Sequence, residues 1–122
     1  TLLDGTVFPH HRYPGYEFGR GYNEQTLPGD YEGLFNLLSE TKEAFAPSGR
    51  VITMAYYPDG RQEALLAQGG APDHVDLFHA MAYDARGEHS TFDLFEKATS
   101  QGLARLPPQQ VTVGLPFYGR ST

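Results

Sequence analysis

The stretch RVITMAYYPDGRQEALLAQGGAPDHVDLFHAMAYD, residues 50–84, decides how this chain reads. It opens with a β-branched and aromatic run, Val51 to Tyr57, bounded by Pro58 and Gly60 and too short for a helix. Such a run predicts a strand, and its near-continuous apolar character predicts one buried on both faces. RQEALLAQ predicts a short helix closed by Gly69 and Gly70. HVDLFHAMAYD returns to strand, with Val75, Leu77, His79, Met81 and Tyr83 on one face by alternation. Strand, short helix, strand is the unit of a parallel α/β sheet, crossing over with a right hand.

The same rhythm continues on both sides. Before it, Asp30 is expected to cap a helix whose face is Tyr31, Leu34, Phe35, Leu38 and Phe45, stopped by Pro47 and Gly49. Leu2, Leu3, Val7 and Phe8 suit a short strand, and Pro9 to Gly29 reads as loop. After it, Ser90 or Thr91 is expected to cap a helix ending at Gly102, with Phe92, Phe95 and Ala98 on its inner face. QVTVGLPFYG is the last strand. The expected fold is α/β, parallel strands alternating with helices, in either a doubly wound sheet or a partial (β/α)8 TIM barrel. No glycine-rich phosphate loop follows a strand, since the GRG at 19–21 lies in a loop, and a nucleotide fold loses ground. A full barrel takes about 250 residues, so these 122 would supply about half of one. Its two open parallel edges would invite self-association.

The bulk chemistry narrows the partners. Nine basic residues stand against fifteen acidic ones, net −6, and no basic run exceeds two residues, so nucleic acid is a poor partner. No apolar stretch approaches the roughly 20 residues that span a bilayer, so a membrane partner is not expected. There is no Cys, which excludes disulfides and thiolate metal sites but leaves the compartment open. The chain begins at Thr1 with no charged-then-apolar leader, which suggests a trimmed or incomplete chain without a visible signal peptide.

Sites in parallel α/β folds form where strands end. Here the strands end in Tyr56-Tyr57-Pro58-Asp59, in Met81-Ala82-Tyr83-Asp84, and in Phe117-Tyr118-Gly119-Arg120. Aromatic rings with carboxylate and guanidinium groups on one rim suit a sugar: rings stack on the C–H faces of a pyranose and charged groups take its hydroxyls. The rival reading is a strand end meeting water.

These residues carry a resemblance. MAYD closing a strand opened by VD, followed by VTVGLPFYGRS, resembles glycoside hydrolase family 18, the chitinase-type barrels. RYPGYEFGRGY, DYEGLFNLLSETKEAF and VITMAYYP are similar to that family's fourth-strand loop, fourth helix and fifth strand, so the likeness covers residues 13–122. It implies that the chain, 1–122, is an incomplete catalytic domain running from the fourth to the seventh strand. It also implies a substrate-binding set of Met81, Tyr83, Asp84, Tyr118 and Arg120, with Tyr83 on the N-acetyl carbonyl of chitin or an N-acetylglucosamine oligosaccharide. For Met81 barrel core is an equal reading, and for Arg120 a solvated charge. Tyr56 and Tyr57 also reach the cleft region, one of them packing outward on a helix, and His79 reads as a satisfied core histidine. No cofactor is implied. Members of the family are often secreted.

Residues 1–12 depart from the family. Its fourth strand bears D-x-x-D-x-D-x-E, whose Glu protonates the glycosidic oxygen while the substrate's own N-acetyl group attacks. Here DGTVFPHHRYPG aligns Val7, Pro9 and His11, or counted back from Tyr13-Pro14, Arg12, with the acids. No catalytic acid is intact. His11 in that role is disfavoured by Pro9 in the strand. A metal site of His10 and His11 with His74, His79 or His89 lacks ligand spacing, so no metal is expected, and Glu17 reads as solvated. The family's floor tryptophan has no counterpart, since the chain has no Trp. The expected function is chitinase-like carbohydrate recognition or hydrolysis without the catalytic Glu. The alternatives are a non-catalytic, lectin-like chitin binder and a product of a broken gene.

Overall fold

A computed structural model of the chain describes residues 25–85, 88–119 and 121. The strand expected at Leu2–Phe8, the acid-less segment with His10 and His11, Glu17 and Arg120 all lie outside them. The described elements are α1 (Leu27–Phe45), β1 (Thr53–Tyr56), α2 (Arg61–Gln68), β2 (Leu77–Ala80), α3 (Phe92–Arg105) and β3 (Val111–Val113).

Helix α1 begins earlier than its sequence suggests. Thr26, not Asp30, is the N-cap, and Pro28 sits in the first turn. Proline is suited there, because its fixed φ is already helical and its missing N–H has no partner in the first turn anyway. Asp30 lies inside that turn, where a carboxylate favours the positive helix end. The expected apolar face holds: Leu38 is buried, and Tyr31, Leu34, Phe35 and Phe45 pack against the core. Pro47 enters a single 3-10 turn and Gly49, at φ 64°, ends it.

The three strands form one parallel sheet in the order β1-β2-β3. Thr53 pairs with Leu77 and Tyr56 with Ala80; Phe78 pairs with Val111 and Ala80 with Val113. Neighbours in space are thus neighbours in sequence. Right-handed crossovers in that order put successive helices on the same face of the sheet, and burial agrees. Tyr56, Phe78 and Ala80 share one core with Leu66 of α2, Ala98 of α3 and Leu38 of α1. The opposite face carries Thr53 and Ala55, exposed, and Leu77, His79, Met81 and Thr112, half-buried.

That one-sided cover corrects the expectation for the first strand of the unit. β1 is buried on one face only, with Val51 69% exposed beside it. The apolar run that suggested two buried faces reflects β-branched preference as much as burial. Val75 is likewise in the core, not on the face of His79 and Met81, because the ladder starts only at Leu77.

Helix α3 is also corrected. Thr91 caps it, its hydroxyl accepting from the Leu94 amide at 3.1 Å. The helix passes Gly102 and ends at Arg105. Gly102 is present for close approach: a Cβ there would lie 3.0 Å from the Tyr56 hydroxyl and 3.0 Å from Val111 Cγ1. The buried stripe is Leu94, Ala98 and Gly102, at intervals of four. Phe92 is not on it, being 73% exposed and stacked on Phe95.

Candidate functional site

The polar groups gather where β2 and β3 end. Past Ala80 the strand ends, the Ala82 amide donating to Ala80 O at 3.1 Å, with Ala82 in the core and Met81 and Tyr83 half-buried. Gly114 follows β3, and its amide donates to Ala80 O at 2.8 Å. A Cβ on Gly114 would meet Tyr83 Cε1 at 2.9 Å. The glycine therefore makes room for the Tyr83 ring across the two strand ends.

Tyr118 comes back over this point. Its ring stands edge-on to Tyr83, centroids 6.4 Å apart and planes at 78°. Its hydroxyl donates to Asp84 Oδ1 at 2.9 Å. Asp84 is at φ 62°, the left-handed region that a non-glycine residue rarely occupies. Holding it there costs about 1 kcal/mol, least for Asp and Asn. His89 closes the group. Its ring lies 5.0 Å from that of Tyr118, Nδ1 accepts from the Asp84 amide at 3.1 Å, and Nε2 is 3.3 Å from Tyr118 O.

Of the expected substrate-binding residues, Tyr83, Asp84 and Tyr118 meet in this cluster. Met81 lies deeper on the same face, and Arg120 is outside the described residues. His89 was missed as a member. Nothing in its local sequence marks it, because its contacts with Asp84 and Tyr118 exist only in the folded chain. Of the tyrosines at the end of β1, Tyr56 packs outward into the helices, 2% exposed, and Tyr57, just past the strand, stays on the surface. His79 bonds through Nδ1 to Thr112 Oγ1, which itself donates to Phe78 O at 3.3 Å. A hydroxyl has one proton, so Thr112 accepts from His79, and the His79 Nε2 is left as an acceptor on the uncovered face.

Among the described residues, the one carboxyl pushed up from its usual range is elsewhere. Glu63 is fully buried, and burial raises its pKa, with a smaller push from the charge of Asp59. Its Oε2 accepts from the Gly60 amide at 2.7 Å while Oε1 has no partner. Glycine has no side chain to complete a capping box, and Asp59 takes that part by accepting from the Arg61 and Gln62 amides. A perturbed acid is a site candidate when it faces a cleft. Glu63 is sealed among helices, touches no solvent, and is structural.

A small cleft of about 150 Å³, open to solvent, lies between α1 and the start of α2, lined by Leu27, Tyr31, Asp59, Arg61, Gln62 and Leu65. It is lined by helix and loop residues, none of them in the tyrosine cluster. Among the described residues no group of His, Asp and Glu is arranged to hold a metal, and no helix is long and apolar enough to cross a membrane. Compared with protein-family models, curated proteins and solved structures, the chain matches none.

Proposed function

We propose that the rim formed by Tyr83, Asp84 and Tyr118 recognises carbohydrate, as part of a chitinase-like barrel of the glycoside hydrolase family 18 kind. The reading takes the three-stranded sheet as a sector of a (β/α)8 barrel, with its uncovered face as the barrel interior. Sequential strand order with helices on one face fits such a sector and fits one half of a doubly wound sheet equally, so the barrel reading rests on the sequence resemblance. The observation that carries the site is the hydrogen bond from Tyr118 to Asp84, made across the ends of adjacent parallel strands beside the edge-on Tyr83 ring. It presents two aromatic surfaces and a carboxylate side chain that is 40% exposed, which are the groups a pyranose engages.

The chemistry is recognition without hydrolysis. Val7, Pro9, His11 and Arg12 stand where the resemblance places acids; Val7, Pro9 and Arg12 have no proton to give a glycosidic oxygen, and His11 in that role is disfavoured by Pro9 in the strand. N-acetylglucosamine polymers are the ligand class, with Tyr83 on the N-acetyl carbonyl.

Calorimetry with chitin oligosaccharides, and pull-down on insoluble chitin against cellulose, test this. Wild type should bind chitin and release no reducing sugar. Tyr83→Phe and Asp84→Asn should each weaken binding about ten-fold or more, as loss of a hydrogen bond to a charged or buried partner does. A folded wild type that ignores millimolar oligosaccharide would sink the proposal.

A further inference from the structure

Asp84 and Tyr118 belong to different loops, one after β2 and the other after β3, and a single side chain touches both. His89 reaches the backbone of each loop: the Asp84 amide is 3.1 Å from Nδ1 and the Tyr118 carbonyl is 3.3 Å from Nε2. A backbone amide can only donate, so Nδ1 carries a lone pair. The proton of the neutral ring then sits on Nε2, where the Tyr118 carbonyl can only accept. The two contacts demand the same tautomer. The ring is further fixed by packing on Tyr118, and its side chain is 13% exposed. The backbone around it is closed too: the Ala85 amide donates to His89 O at 3.1 Å and the Ser90 hydroxyl to Ala82 O at 3.3 Å.

The held residue needs holding. Asp84 sits at φ 62°, and its carboxylate faces Tyr118 only while the backbone stays there. Its own amide, fixed on Nδ1, sets that orientation. Nδ1 also lies 3.3 Å from Asp84 Oδ1, a contact between two acceptors when Nδ1 is bare, so the Asp84 amide sets the tautomer against this carboxylate.

We infer that His89 is a positioning residue of the proposed carbohydrate rim, clasping the loops after β2 and β3 as the Nε2–H tautomer so that Asp84 and Tyr118 present one surface. This rests on the carbohydrate reading for its ligand, but the clasp itself is readable without one. Nitrogen-detected NMR of the neutral ring should show Nε2 protonated and Nδ1 bare. A proton on Nδ1 would overturn the clasp.

The ligand-dependent arm uses chitin oligosaccharide and a pair of backgrounds. His89→Ala should weaken binding about ten-fold in wild type and distinctly less in Asp84→Asn, because part of its effect passes through the Asp84 carboxylate and the rest through Tyr118. General loosening of the fold would instead cost the same in both. His89→Asn returns an acceptor near the Asp84 amide and should recover most of the loss. His89→Gln returns only the donor to Tyr118 and should recover less. Unchanged binding in His89→Ala, or equal loss in both backgrounds, would overturn the inference while the carbohydrate reading stands. A wild type that binds nothing, with the Nε2–H tautomer seen, would remove the carbohydrate reading and leave the clasp as the element that orients Asp84 and Tyr118.

Discussion

Glu63 is the residue whose environment departs most from its chemistry. A carboxylate without exposed surface and with one oxygen unpartnered is costly as an anion, and the hydroxyl of Tyr56 and the amide oxygen of Gln101 are buried without partners as well. Burial, then the charge of Glu63, pushes the Tyr56 phenol up to about 12. The pH consequence has a definite sign. The folded-state pKa of Glu63 is raised, so stability is greatest below the unfolded carboxylate range and falls as pH rises through the folded value. Asp76 is opposite: the Ile52 amide at 2.7 Å, then Lys42, lower its pKa. Its contribution is present above the unfolded value and is lost as pH falls through the folded one. Stability should therefore decline on both sides of a mildly acidic maximum. Glu63→Gln keeps an acceptor for Gly60 and supplies an amide donor, so it should raise stability by about 1 kcal/mol at pH 8 and little at pH 4. Urea unfolding at the two pH values checks this; equal effects at both would show that Glu63 carries no charge penalty.

At the scale of elements, two glycines in helices give opposite expectations. Gly33 in α1 has nothing within 4 Å of an added Cβ, whereas Gly102 in α3 faces the Tyr56 hydroxyl and Val111. Gly33→Ala should stabilise by about 1 kcal/mol through helix propensity. Gly102→Ala gains the same propensity, but overpacking against a buried tyrosine costs about 1–3 kcal/mol. It should be neutral to destabilising, with a lower melting temperature than Gly33→Ala in the same buffer. If both rose equally, α3 would not approach β1 and β3 as closely as described. Helix α3 also shows what sequence conceals. Glycine stops a helix or admits a neighbour, and only the partner element distinguishes the two. The expected inner face holds at Ala98 and fails at Phe92 for the same reason: Phe92 satisfies helical spacing with Phe95, but the sheet is met by Leu94, Ala98 and Gly102.

At the scale of the molecule, the sheet is covered by helices on one face, and the other face and its rim display large apolar groups. Val51 is 69% exposed, Leu115 62% and Phe117 fully. Such surface next to sheet edges that pair with no other strand among the described residues favours association. The 122-residue chain should therefore sediment as a concentration-dependent mixture, and Leu115→Lys with Phe117→Ser should shift it toward monomer. A monomer unaffected by the pair at high concentration would contradict this. Short-range features were legible in the chain itself. Three helices alternating with strands, their parallel sense and the polar character of the strand ends follow from spacing, breakers and alternation, which act within a few residues, whereas the start of α1 at Leu27 and the end of α3 at Arg105 do not. Tertiary structure alone decided which face each strand buries, that Gly102 is a contact and not a stop, and that His89 joins Asp84 and Tyr118. Each of these depends on groups far apart in sequence, and burial and hydrogen bonding between them exist only once the strands are laid side by side.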